Sequence, residues 1–384
     1  MVTTPFDIGI LAYPWDVDPE EARALADAGV TSFSIAAAYH SVRELRPRSR
    51  ERPVLTRDAG LHWKPGADAF RGAAIAPIVD PAPSFETALR SVGEARVWAW
   101  CAVLHSSPLA AANPKFALRD AWGQPSRHAL CPSRTEVQDY ASRMLADLTG
   151  RIGVPGVELE AAGFHGWRHA SLHDKSAVEV GVAANLLLSL CLCSGCCAAY
   201  ERSGIDSTEL AKRVREAAHA ALAHPDATAD AAAFLASWIG EELLARTLAV
   251  RGEIVRDFTA VLRGAIPAST PVLVHAGADP LTTGSRAVLP PEALSAVGGV
   301  DGVVVSTDAA DRARYRQIVE RSVIDYPDRS WVSLRVMGPE VSSGRDLAER
   351  TALARVSRAR GVRLHNWGLW NETQMSWVTD AAAR

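Results

Sequence analysis

No run of apolar residues approaches the roughly 18 that a membrane span requires. The first residues, MVTTPFDIGILAYPWDVD, lack both the basic start and the apolar stretch of about 7–15 residues of a secretory signal. A cytoplasmic protein with no membrane association is the expectation. Neither charge dominates: 41 Lys and Arg stand against 44 Asp and Glu, a net charge of −3, so no nucleic-acid partner is expected either. Strand-like runs are not followed by Gly-x-Gly-x-x-Gly or Walker patterns, which argues against dinucleotide and P-loop chemistry. Cysteine is scarce, six in 384 residues, too few for a disulfide scaffold. What remains is 48% hydrophobic and 22% charged, enough to bury a large core and to exclude wholesale disorder.

The ordering principle is a repeated unit in which a short β-branched run ends in polar or aromatic residues and an Ala/Arg/Glu-rich helical stretch follows. Strands are predicted at 6–13, 31–37, 96–104, 156–161, 271–276, 302–306, 331–337 and 361–367. Asp18 caps a first helix to about residue 28. Ser133 with Glu136 forms a capping box for a helix to about 149. Further helices are expected at 311–322, 346–360 and 372–383, and a long helical region at 205–265 with a break at Pro225. Eight βα units in this length predict a (β/α)8 TIM barrel, read as a single domain over 1–384 with an enlarged helical insertion after strand four. A separate helical subdomain at 205–265 is the alternative.

A barrel builds its site at the carboxyl ends of its strands. Those ends carry Tyr13 and Trp15, Tyr39 and His40, His105, His275, Arg335, and the run His365, Asn366 and Trp367. Indoles and imidazoles stack on sugar C–H faces and bond hydroxyls, so this lining suits a small carbohydrate or glycoconjugate. On strand four, GVELEA places Glu158 and Glu160 two apart and so on one face. With Val157 and Leu159 packed outward, both carboxylates point into the barrel. Burial and mutual repulsion should then raise the pKa of at least one of them, the arrangement glycoside hydrolysis asks of its acid and its nucleophile or base. Alternatively, one glutamate pairs with a barrel arginine such as Arg335 and only the other reacts. The next loop crowds His165, Trp167, Arg168, His169, His173 and Asp174 together and reads as a substrate lid. Asp279, Asp308, Glu340 and Glu372 are placed to supply a second carboxylate.

Four of the cysteines, Cys191, Cys193, Cys196 and Cys197, fall within seven positions. Cys191, Cys193 and Cys196 form a Cys-x-Cys-x-x-Cys pattern which, with Cys131 or Cys101 as the fourth thiol, can make a tetrahedral zinc site. Apolar cysteines packed at a helix start are the alternative. The histidines at 165, 169 and 173 would share a face only in a helix, which Gly166 opposes.

The segments GVELEAAGFHGW and LSLCLCSGCCAAYERSGID resemble the uncharacterised glycoside-hydrolase-like barrels, in which strand four ends in a carboxylate and a Cys-x-Cys-x-x-Cys segment opens the next helix. That segment is similar to the zinc-binding segment of the family 42 β-galactosidases, where a further cysteine completes the site. NPKFALRDAWGQPSRHALCPSRTEV is similar to the family's stretch after strand three, and the likeness covers about residues 95–205. It implies a carbohydrate-active enzyme in which Glu160 matches the strand-four carboxylate, with no cofactor required for catalysis and zinc, held by Cys131, Cys191, Cys193 and Cys196, as a structural ion. The family 42 acid follows an asparagine; the Asn371-Glu372 pair here lies after strand eight and cannot take that role. Two other readings stay open: a metal-dependent sugar isomerase or epimerase with Glu160 and His275 as ligands, and a catalytically inactive sugar-binding barrel. The chain can also self-associate on any of the three.

Overall fold

The computed structural model describes residues 5–82, 84–93, 95–168, 180–225, 229–277, 279, 281, 283–284, 298–307 and 309–383. Asp308, His169, His173 and Asp174 lie outside the described residues. Eight parallel strands are β1 (Asp7–Ala12), β2 (Ser32–Tyr39), β3 (Arg96–Ala102), β4 (Val157–Glu160), β5 (Val272–His275), β6 (Gly302–Ser306), β7 (Ser330–Arg335) and β8 (Gly361–His365). Each pairs with the next, and β1 pairs with both β2 and β8, which closes the sheet into a barrel. The predicted (β/α)8 architecture is therefore the observed one.

Alternation along each strand sorts side chains between two cores. Val157, Leu159, Val362 and Leu364 join the large cluster between barrel and helices. Trp98, Leu273, Val304 and Trp331 form a smaller one inside the barrel, and in the same strands Glu158, Glu160, Arg363 and His365 turn inward. Gly9 is on the inward face of β1 because a Cβ there would overlap the Arg363 guanidinium and the Ser32 hydroxyl.

The helices are α1 (Pro19–Asp27), α2 (Phe85–Ser91), α3 (Ser107–Ala112), α4 (Thr135–Asp147), α5 (Val182–Ser189), α6 (Ser194–Arg202), α7 (Ser207–Ala223), α8 (Ala231–Ile239), α9 (Glu241–Gly264), α10 (Arg312–Asp325), α11 (Gly344–Val356) and α12 (Glu372–Ala382). The Asp18 carboxylate caps α1 by accepting the Glu20 and Glu21 amides at 2.9 Å, as expected. The capping box at Ser133 is not formed. Arg134 is the N-cap of α4 with no side-chain bond, because the Ser133 hydroxyl turns to the sulfurs of Cys131, Cys193 and Cys196 instead. The break at Pro225 falls between α7 and α8 as predicted, but the helical layer begins earlier, at Val182. Helices α5 to α9 pack on one another and on the loop after β3 through their own cluster, which includes Leu186, Leu187, Val214, Leu235 and four of the cysteines.

Two hairpins stand on the carboxyl side of the barrel. One joins Val42–Leu45 to Val54–Arg57 after β2, and the other joins Ala117–Arg119 to Pro125–Leu130 after β3. Among the described residues, no single helix is long and apolar enough to cross a membrane.

Candidate active site

The two strand-four glutamates both face inward, yet their surroundings differ completely. Glu158 is fully buried. Its Oε2 accepts from Arg363 Nε at 3.1 Å and from the Ser34 hydroxyl at 2.6 Å, and its Oε1 lies 2.8 Å from His275 Nε2. Arg363 extends the network by donating through Nη1 to Asp7 Oδ2 at 2.7 Å, an oxygen that also accepts from Trp331 Nε1 at 2.8 Å. Burial pushes Glu158 up, but the Arg363 guanidinium, His275 and Ser34 outweigh it and bring the carboxyl down to about 2. For Glu158 the expected upward shift is thus reversed. The barrel arginine that pairs with it is Arg363 and not Arg335. Arg335 instead caps β7, donating through Nε to Glu340 Oε2 at 3.2 Å.

Glu160 ends β4 half-buried. Its Oε2 accepts from Trp100 Nε1 at 2.6 Å. Trp100 crosses Tyr39 with ring centroids 4.4 Å apart and lies 5.8 Å from His365 edge-on, and Tyr13 stacks on it at 6.2 Å. The carboxylate's charge reaches Tyr13, Tyr39, His40 and His365. Burial pushes both tyrosines up, so they stay neutral donors. It draws His40 down, and His365 down to about 4 against the pull of Glu160. At neutral pH this rim is uncharged imidazole and phenol around one anion, a set suited to bonding hydroxyl groups.

From this rim a row of imidazoles runs outward. Ring centroids of His40 and His105 are 4.4 Å apart, those of His105 and His165 4.5 Å, and those of His165 and His128 6.4 Å. The row ends in a groove of about 250 Å³ lined by His128, His165, Trp167, Arg119 and Asp120. Trp167 is 39% exposed, and Arg168 beside it donates its amide to Asn185 Oδ1 at 3.3 Å.

The remaining predicted residues scatter. Trp367 does not line the mouth: it is buried between barrel and helices against Phe33, with its Nε1 donating to Glu21 at 2.8 Å. Asn366 is fully buried. Trp15 stacks on Tyr13 at 5.1 Å and belongs to the first hairpin's side. Among the expected second carboxylates, Glu340 is buried and holds Arg335 and the Thr307 hydroxyl. Asp279 and Glu372 are exposed, the latter in the first turn of α12. His275 Nε2 is engaged by Glu158, so it is not turned to Glu160 as the isomerase reading requires.

One acidic pair escaped sequence reasoning. Asp16 and Glu44, from the β1 and β2 loops, are 8% and 5% exposed. Arg46 Nε is 2.7 Å from Asp16 and 3.9 Å from Glu44, and Trp15 Nε1 donates to Glu44 at 2.6 Å. Burial, only partly offset by Arg46, raises Asp16 to about 6; burial and the Asp16 charge raise Glu44 to about 7. Each acid therefore holds its proton more tightly folded than unfolded, and the native state loses stability as pH rises from about 4 to 7. Glu44→Gln should raise stability at pH 8 by on the order of 1 kcal/mol and change little at pH 4.5. Melting curves at the two pH values check this, and an equal effect at both would contradict it.

On the far side of the loop after β3, Cys131, Cys191, Cys193 and Cys196 converge, all buried, with their sulfurs within 4.8 Å of one another. The Cys131 sulfur is 3.5 Å from Cys193, 3.5 Å from Cys196 and 3.7 Å from Cys191. Sulfurs at about 2.3 Å from a tetrahedral zinc ion lie about 3.8 Å apart, so the quartet fits that ion and is far too open for disulfides. Gly195 lets the turn close, since a Cβ there would lie 3.0 Å from the Ser133 carbonyl. The Arg119 amide donates to Cys191 Sγ at 3.3 Å. Burial pushes Cys131 up, whereas hydrogen bonds from Cys131, Cys191 and Cys196 pull Cys193 down. Cys101 is elsewhere, in the main core, its thiol pushed by burial up to about 12.

No family model matches the chain, and no curated protein matches it. The catalytic domain of β-amylase from Paenibacillus polymyxa aligns over 99% of this chain and 99% of its own, with a TM-score of 0.56 at 9% identity. A class V chitinase from Pseudomonas fluorescens Pf-5 aligns over 99% and 100%, with a TM-score of 0.47 at 8% identity. The β-amylase likeness is one of fold: the chain shares its barrel architecture.

Proposed function

We propose that this barrel is a glycoside hydrolase-like enzyme that cleaves a glycosidic bond of a small oligosaccharide or glycoconjugate, with Glu160 as its reactive carboxylate. The observation that carries the reading is the division between the strand-four glutamates. Glu158 is spent on Arg363, His275 and Ser34, while Glu160 stays half-buried at the mouth, with its Oε2 fixed by a Trp100 N–H. A fixed carboxylate acts on a sugar as nucleophile, base or acid, and the neutral rim of Tyr13, Tyr39, His40 and His365 orients hydroxyls around it. Arg335, anchored by Glu340, adds a donor at the open side. His105, His165 and Trp167 extend the surface into the adjoining groove, which favours a substrate longer than one sugar. The barrel architecture shared with the β-amylase catalytic domain is compatible with that class.

Incubation with α- and β-linked aryl glycosides and with short glucose and N-acetylglucosamine oligomers tests it. At least one should release a sugar with uptake of one water per bond. Binding throughout the panel without release would identify a sugar-binding barrel instead.

The thiol quartet is a proposed structural zinc site, consistent with its sulfur spacing and its place between the β3 loop and helix α6. Chelation under reducing conditions should release about one metal ion per chain and lower the melting temperature by about 5 °C or more. A melting curve indifferent to chelation would count against it.

A further inference from the structure

Helix α9 carries an arginine whose position the fold alone does not account for. Arg251 is 1% exposed, and its neighbours on α9, Val250 and Ile254, belong to the cluster that holds the four thiols. Its Nη1 donates to the Ser189 carbonyl, at 3.4 Å, and its guanidinium lies over the Phe164 ring at 4.4 Å. Among the described residues its Nε and Nη2 find no hydrogen-bond partner and no carboxylate forms an ion pair with it. A buried, uncompensated guanidinium costs several kcal/mol, a cost a core does not retain unless something offsets it. The groups whose charge acts on it are the Tyr200 phenol and the thiols of Cys196, Cys191 and Cys131.

The offset follows from the chemistry of the quartet. Four neutral thiols offer Arg251 nothing, but a divalent ion held by four thiolates carries a net charge of −2 inside a low-dielectric core. Its partner cation must be built in, because no counterion from solvent reaches a site whose ligands are all buried. Arg251 is a buried cation at hand, and Ser189, whose carbonyl it holds, stands two residues before Cys191, so Arg251 also fixes the start of the segment that supplies three of the four ligands. We propose that Arg251 is the built-in countercharge of a tetrathiolate metal centre, and that its charge sets how tightly this chain holds the metal. The inference rests on the zinc reading above and deepens it.

The test uses the full chain with the metal it carries when purified under reducing conditions, loaded with Zn²⁺ if it carries less than one equivalent. Metal content and the rate of transfer to a chromogenic chelator are compared for the parent, Arg251→Met and Arg251→Lys. The Met variant should release metal at least about tenfold faster, the scale of outer-partner effects on metal sites, and the Lys variant should stay within about threefold of the parent. If the Met variant does not fold, Arg251→Gln, which keeps donors but loses the charge, takes its place. Release at the parental rate from the uncharged variant would overturn the countercharge role while leaving the metal site standing. Equal weakening by Met and Lys would overturn it too, by showing that shape matters and charge does not. A parent that neither carries nor takes up metal would remove the zinc reading and the inference together.

Discussion

Glu160→Gln is expected to lower turnover by about 10³-fold or more, as loss of a reacting carboxylate does, while the melting temperature stays within about 2 °C of the parent. The substitution keeps the shape and an oxygen that can accept from Trp100 Nε1, so the packing of Trp100 on Tyr13 and Tyr39 has no reason to change. What disappears is the anion. The neutral rim cannot replace it: burial holds His365 at about 4 and His40 below the usual imidazole range, leaving both without charge at neutral pH, and the tyrosines are held in their protonated form. Hydrolysis measured on the substrate found in the glycoside panel, together with a melting curve, reads both halves of this expectation.

Glu158→Gln should do the opposite. It takes one of two anions from a guanidinium with no exposure to solvent, and breaking a buried pair from one side costs about 3–5 kcal/mol. For a chain of 384 residues, with an unfolding entropy of about 0.8 kcal/mol/K, that corresponds to a fall in melting temperature of roughly 4–6 °C. Arg363→Met should be comparably damaging, since it strands Glu158 and Asp7, which Arg363 bridges at 3.1 and 2.7 Å. The double variant should then cost less than the sum of the two, the mark of a coupled pair. The pH dependence has a definite sign. Glu158 is held down to about 2 against an ordinary 4.5, so its contribution is complete above about pH 4.5 and is lost as the pH falls towards 2. In Glu158→Gln that acid limb of the stability profile should flatten. A melting temperature for Glu158→Gln equal to the parent's would show that the network is not what holds the barrel interior.

These contrasts also mark what local sequence can reveal. The period-two alternation of GVELEA is a property of any strand, and it correctly turned both glutamates inward. It carries no information about which strand lies across the barrel. The answer was Arg363, in GVRLH, two residues before His365 and hence on the same inward face; an arginine between Val362 and Leu364 on a strand with buried neighbours was the available signal. Trp367 misled for the complementary reason: alternation stops with β8, and the chain beyond it turns the indole outward against Phe33 and Glu21. Asp16 and Glu44 lie in loop and hairpin segments with no long apolar period to relate them, and only closure of the β1 and β2 loops brings them under one arginine. The Ser133 capping box failed because a second acceptor set, the thiols, competes for the same hydroxyl. The cysteine spacing marked Cys191, Cys193 and Cys196 as a group but could not choose Cys131 over Cys101 as their neighbour, because that choice depends on where the loop after β3 meets α6.

The proposed hydrolysis turns on Glu160 and not Glu158 being the reacting group, and the most direct test is chemical rescue. Glu160→Ala, assayed on the hydrolysed glycoside with and without added azide or formate, should be inactive alone and regain part of its turnover when the small anion fills the space left by the carboxylate beside Trp100. Parental turnover in Glu160→Ala without any added anion would contradict it.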